Sequence, residues 1–289
     1  MVKRTNLKKL REMYEKSIRG STNFSDIIWK PSDGENIIRI LPPATEDEVF
    51  YVEAGTHNFG GYFFWCPRAS TDKALRCPIC EEVRRRYNSG SELDIEIAQK
   101  LKLRRVYLYN IIDRKAEDPT EVKIYISGKK VWQKIMSYYF DEEYGALDDV
   151  DKGYDFKLIK NSLGDFPNYD DSRPFTKPSP LAESEKKIAE ILSNAHNLQE
   201  FIRIEPAEKL ESALVNFLEE FYSEEPKIKI KGAVEKPRVK PEEAVQSDST
   251  SEEVQKIETD VEDETEDDIE DFEEFQRKLE EALAEDDED

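Results

Sequence analysis

The chain has 289 residues, of which 37% are hydrophobic and 37% charged, and a formal net charge of −22. That balance is too polar for a chain packed throughout and points to a folded part joined to a part that buries too little apolar surface to fold. There is no apolar run of about 18 residues for a membrane span, no apolar signal core after the basic N-terminus, and no disulfide framework in three clustered cysteines; neither a membrane nor a secreted protein is expected, and a reducing cytoplasm is the expected setting.

Residues 1–20 hold 7 basic and 2 acidic side chains and read as a basic arm running into a short helix, with Leu7, Leu10, Tyr14 and Ile18 near helical spacing. Strand signals follow at Asn36–Leu41, Val49–Val52 and, after Gly60-Gly61, Tyr62–Trp65. A short helix is expected over Glu81–Tyr87. Two aromatic, β-branched strands are expected at Val106–Ile112 and Val122–Ile126, joined by a polar loop. A helix over Val131–Tyr139 and an alternating strand over Gly153–Ile159 come next. Three prolines between Ser172 and Pro180 predict an extended connection. Two helices are expected over Ser184–Ile202 and Pro206–Tyr222, the second with Leu210, Leu214, Phe217, Leu218 and Phe221 on one face. Residues 21–222 are thus expected to form an α+β core, residues 223–259 a flexible linker, and residues 260–289, with 18 acidic and 2 basic side chains, a disordered acidic tail.

The strongest chemical signal is His57, Cys66, Cys77 and Cys80, which takes in all three cysteines and one of the two histidines. The Cys77-Pro78-Ile79-Cys80 spacing lets two thiolates reach one metal. With Cys66 and His57 they make a closed Cys3His set, the pattern of a single structural Zn2+ in a subdomain near 57–87. The bland alternative is three buried structural cysteines and a hydrogen-bonded histidine. A zinc deaminase site is disfavoured, because Asn58 and Phe59 follow His57 where an H-x-E element would place its glutamate. Phosphate-loop, nucleophile-elbow and dinucleotide fingerprints are absent from the sequence, so no catalytic residues are expected and the chain does not read as an enzyme.

Residues 100–134 hold 10 basic and 4 acidic side chains. Lys102, Arg104 and Arg105 lead into Tyr107 and Tyr109; Lys123 and Tyr125 follow on the next strand, with Lys129 and Lys130 beyond. Basic side chains for the backbone and aromatic rings for unpaired bases are what single-stranded nucleic acid needs. Alternation puts Arg105, Tyr107 and Tyr109 on one face and Val106 and Leu108 on the other, which predicts a binding face opposite a core face. The alternative is a set of half-buried sheet tyrosines. In the tail, Ile269, Phe272, Phe275, Leu279 and Leu283 recur at helical spacing within acidic surroundings, a pattern suited to a partner's groove.

These residues resemble one family, the single-stranded-DNA-binding, helix-destabilising proteins of T-even-type bacteriophages. The resemblance rests on Lys3-Arg4-Thr5, Ile37-Ile38-Arg39-Ile40-Leu41-Pro42 and the His/Cys3 set. It continues through Arg104 to Asn110, Gly128-Lys129-Lys130-Val131-Trp132 and Phe166-Pro167-Asn168-Tyr169-Asp170. It implies an OB-fold-like β-barrel core with an inserted zinc subdomain and peripheral helices. It also implies sequence-independent strand binding in phage replication, recombination and repair, with Tyr107, Tyr125, Phe166 and Tyr169 as DNA-contacting aromatics. Cooperative contact between neighbouring copies is implied for the arm (Lys3, Arg4, Thr5), and recruitment of replication and recombination proteins for the acidic tail, which would also compete with DNA. A zinc-stabilised interaction scaffold without direct DNA binding is the alternative function.

Overall fold

The structure, a computed structural model, describes residues 27–45, 48–162 and 167–224. In chain order the elements are β1 (Ile28–Trp29), β2 (Gly34–Ile40), β3 (Tyr51–Phe59), β4 (Tyr62–Trp65), α1 (Pro67–Ser70), α2 (Pro78–Ser89), α3 (Glu92–Leu101), β5 (Arg104–Asp113), β6 (Val122–Gly128), α4 (Lys129–Tyr139), β7 (Phe156–Lys160), β8 (Arg173–Pro174), α5 (Glu185–Ser193), α6 (Leu198–Phe201) and α7 (Ala207–Glu224). The basic arm, Phe166, the expected linker beyond Glu224 and the acidic tail lie outside the described residues, and α7 runs two residues past the boundary expected at 222. None of the described helices is long and apolar enough to cross a membrane.

The α+β class holds. The sheet runs β1-β6-β5-β2-β7-β8, with β3 on β5 and β4 on β3. Its hub is β5, ten residues long, which pairs with β6 along one edge (Val106 opposite Gly128 to Ile112 opposite Val122). The other edge is shared: Arg104–Tyr109 pair with Thr56–Tyr51 of β3, and Ile111–Asp113 with Ile40–Ile38 of β2. The path is open at β1 and β8, and closure into a barrel is not among the pairings of the described residues. Gly60 and Gly61, at φ 51° and 83°, form the two-residue turn between β3 and β4; both central residues of such a hairpin need positive φ, which glycine adopts without a steric cost.

The alternation predicted for β5 is present, but both faces are covered. Val106, Leu108, Ile124 and Ile126 pack under Trp65 and under Leu198, Phe201 and Ile202 around α6. Tyr107, Tyr109, Ile111 and Tyr125 pack with Phe50, Leu147, Phe156 and the Val131 and Ile135 side chains of α4. A third core joins Phe59, Phe64, Cys66, Cys77, Ile79, Ile97 and Leu101 to Leu210, Ala213, Leu214 and Phe217 of α7. Between the layers, the fully buried Arg39 donates to the carbonyls of Asp149 (2.7 Å) and Ser179 (2.9 Å) and pairs with Asp155. Asp155 also accepts from Arg114, so the buried charge is matched by acceptors and the 149–181 stretch is tied to the sheet.

One helix expectation is corrected. The helix expected over 184–202 is two helices, because Asn197 caps α6 by accepting from the Gln199 and Glu200 amides. Asn110 of β5 also clamps the His196 backbone from both sides, at 2.9 and 3.0 Å. Helix α3 fills a stretch for which the sequence predicts no element.

Candidate metal centre and nucleic-acid interface

Two of the cysteines are placed by the same local device. Cys66 and Cys77 are each the N-cap residue of a helix whose first residue is proline, Pro67 in α1 and Pro78 in α2. Proline biases the preceding residue to extended backbone and fits the first helical position, where an N–H would have no partner. Each sulfur is thereby set at a helix N-terminus. Cys80 lies one turn into α2, and His57 enters from β3. The four ligand atoms lie within 4.8 Å of one another, with His57, Cys66 and Cys77 buried and Cys80 partly so.

The distances fit one tetrahedral ion. Zinc bond lengths of about 2.3 Å to sulfur and 2.0 Å to nitrogen would separate ligand sulfurs by about 3.8 Å and sulfur from nitrogen by about 3.5 Å. Cys66 Sγ and Cys80 Sγ are 3.6 Å apart, and His57 Nε2 is 3.4 Å from the sulfurs of both Cys77 and Cys80. His57 Nδ1 lies 2.9 Å from the Leu101 carbonyl. An acceptor there requires the proton on Nδ1, which leaves the Nε2 lone pair facing the sulfurs, as a metal-binding histidine needs.

The electrostatics agree. Hydrogen bonds from the Cys77 and Cys80 thiols, then from the Ala69 and Arg68 amides of α1, hold the Cys66 thiol down at about 3, while the neighbouring Cys66 and Cys77 sulfurs push Cys80 up. Three clustered thiols cannot all ionise unless a cation balances them. The residues therefore fit a single divalent metal ion enclosed by four protein ligands. Arg86 braces the outside: its buried guanidinium donates to Glu82 (2.7 Å), Asp94 (2.6 Å) and Tyr222 Oη (3.2 Å), joining α2, α3 and α7.

The residues expected to contact nucleic acid fall into three groups. Tyr109 and Tyr125 are core residues, 0% and 1% exposed, and Tyr107 is 3% exposed beneath other rings; the expectation of an open tyrosine face is corrected, because α4 and Phe50 roof that side of the sheet. Tyr109 Oη accepts from Ser127 Oγ at 3.2 Å, and burial pushes the hydroxyls of Tyr109 and Tyr125 well above the ordinary tyrosine range. Lys129 and Lys130 open α4, and Tyr169 packs partly buried against the Tyr125 cluster. Lys134 of α4 donates to the Asp170 carbonyl at 2.8 Å, so α4, β5, β6 and the 168–171 stretch converge on one region. Lys102 is the C-cap residue of α3, Arg104 and Arg105 open β5, where Arg105 pairs with Glu53, and Lys123 pairs with Glu121 at 2.7 Å. Phe166, Lys3, Arg4, Thr5, Ile269, Phe272, Phe275, Leu279 and Leu283 fall outside the described residues.

Some contributors were not singled out from sequence. The Leu101 carbonyl is a backbone group and leaves no sequence signal. Tyr51, Trp132 and Lys134 could have been found from their aromatic and basic character beside the chosen residues. A family model described as gp32 DNA binding protein like matches residues 32–220, which include the metal cluster, β5, β6 and α4. No curated protein matches the chain.

Proposed function

The chain belongs to the gp32-like DNA-binding protein family, and on that premise we propose that it coats single-stranded DNA without sequence preference and organises exposed strands during viral replication, recombination and repair. The observation that carries this reading is the family match spanning both the metal cluster and the basic, aromatic region around α4. In this reading His57, Cys66, Cys77 and Cys80 hold one Zn2+, which neutralises the clustered sulfurs and adds folding free energy to a subdomain of short elements. A four-ligand shell has no position for a reacting water, in keeping with a binding protein rather than an enzyme. The open sheet around β5 would be the OB-type core, Lys102, Arg104, Arg105, Lys123, Lys129 and Lys130 the contacts to phosphates, and Phe166 and Tyr169 rings for bases. Tyr107 and Tyr125 support that surface from beneath it. Residues 1–20, through Lys3, Arg4 and Thr5, would link neighbouring copies on DNA. Residues 260–289 would recruit replication and recombination proteins through Ile269, Phe272, Phe275, Leu279 and Leu283, with residues 223–259 as the linker, in the cytoplasm of an infected host.

Anisotropy titration of labelled oligo-dT and of a duplex of equal length, across a range of salt, tests the reading. Preferential binding of the single strand that weakens linearly in log–log form with salt is expected. Equal or absent binding of both would sink it and favour the interaction-scaffold alternative.

A further inference from the structure

Trp132 stands in an unusual relation to Tyr107. Its indole lies parallel to the tyrosine ring, with centroids 4.5 Å apart and 8° between planes. Tyr51 meets its edge at 5.9 Å and 68°, and Tyr51 meets Tyr107 in the same way at 5.9 Å. Tyr107 is thus enclosed, whereas Trp132 keeps partial exposure. The Trp132 Nε1 atom is buried and has no hydrogen-bond partner among the described residues, a costly state for a donor. Lys129 lies three residues earlier on the same helix, the spacing that puts two side chains on one face.

From this geometry we infer that Trp132 is the base-stacking platform of the α4 surface, and that Tyr107 serves as its support rather than as the contact itself. The inference rests on the single-strand reading above and assigns a residue within it. Tyr107 and Tyr51 hold the indole from one face and one edge, so a base that stacks on the other face meets a ring whose orientation is already fixed. A preset platform loses little conformational freedom on binding. Indole offers the largest stacking area of any side chain, and every base has a π-face to lay on it. Lys129, one turn away, supplies charge for a phosphate that flanks such a base.

The test uses the full chain, labelled oligo-dT for affinity and an oligo-dT carrying one 5-iododeoxyuridine for photocrosslinking. Trp132→Ala is expected to weaken oligo-dT binding about five- to a hundred-fold, the range for one lost stack. The slope of log affinity on log salt stays unchanged, because no phosphate contact is removed. Trp132→Phe retains a ring on Tyr107 and guards against a folding defect; it is expected to melt near the parent and to bind between parent and alanine variant. In the parent, crosslinks are expected on the peptide that carries Trp132. Parent-like affinity in both variants, or crosslinks confined to the Tyr107 peptide, overturns the assignment of Trp132 while leaving strand binding intact. A parent chain that fails to bind oligo-dT at all overturns the functional reading itself.

Discussion

A Cβ on Gly55 would sit 2.4 Å from the Cβ of Ala69 and 2.8 Å from Leu103 Cδ1. At this contact α1 touches β3: Cys66 N donates to the Gly55 carbonyl at 2.8 Å, and Ser70 Oγ donates to the same carbonyl and accepts from the Gly55 amide. Gly55→Ala must therefore push α1, and Cys66 with it, away from His57. We expect a loss of about 1–3 kcal/mol from overpacking and faster transfer of zinc to a chromophoric chelator, measured against the parent. Tyr109 permits the opposite kind of test. Tyr109→Phe removes a buried hydrogen bond to Ser127 and should cost about 1 kcal/mol in denaturant unfolding, with oligo-dT affinity unchanged. Asp148 gives a pH signature. Burial raises its carboxyl above the ordinary aspartate value of 3.8, partly offset by the Tyr139 hydroxyl. A raised folded-state value contributes stability that is complete below 3.8 and is lost as pH rises through the folded value. Asp148→Asn should accordingly melt higher than the parent at pH 7, and the difference should vanish under acid conditions. At this scale the four candidate metal ligands were legible because their chemistry depends on residue type and spacing. Gly55 and the Leu101 carbonyl were not, since a close approach and a backbone acceptor are set by neighbours distant in sequence.

Helix α7 shows what an amphipathic pattern conveys and what it leaves open. The apolar stripe of Leu210, Leu214, Phe217, Leu218 and Phe221 predicts a buried face, and the structure presses it onto the cysteine-bearing α2 and α3. Phe217 meets Phe59 at 5.3 Å and 70°, and Tyr222 reaches Arg86. Nothing in the stripe names that partner, because any apolar surface of the right width satisfies it. The consequence is that the last described helix packs into the same core as Cys66 and Cys77 of the candidate metal centre. Phe217→Ala should cost about 3–5 kcal/mol and accelerate zinc release, whereas Val215→Ala on the exposed side should do neither. Strand β5 illustrates the same division: its period-two pattern was readable, but the helical roof over its tyrosine face was not, because α4 is contributed by a later segment with its own pattern.

Across the whole molecule, charge is divided by position rather than balanced. The net −22 is concentrated in the acidic residues 260–289, while residues 1–20 and 100–134 are locally basic. In the proposed function the tail competes with DNA for the basic surface, and removing residues 246–289 should tighten oligo-dT binding or steepen its salt dependence; unchanged affinity and slope after truncation would count against that competition. The α+β class and the order of most elements were legible at this scale, since they follow from local periodicity. The pairing order was not, because β5 takes partners from both earlier and later segments. That sharing has a kinetic side. The hairpin β3–β4 and the two proline-started helices gather all four ligands from residues 57–80, so the metal knuckle closes through short loops. Arg39 must instead find Asp155 across 116 residues of chain, a slower search by loop-closure entropy. A chain refolding with zinc should thus acquire its knuckle first, and the rest of the sheet would assemble against a strand edge that the metal has already fixed.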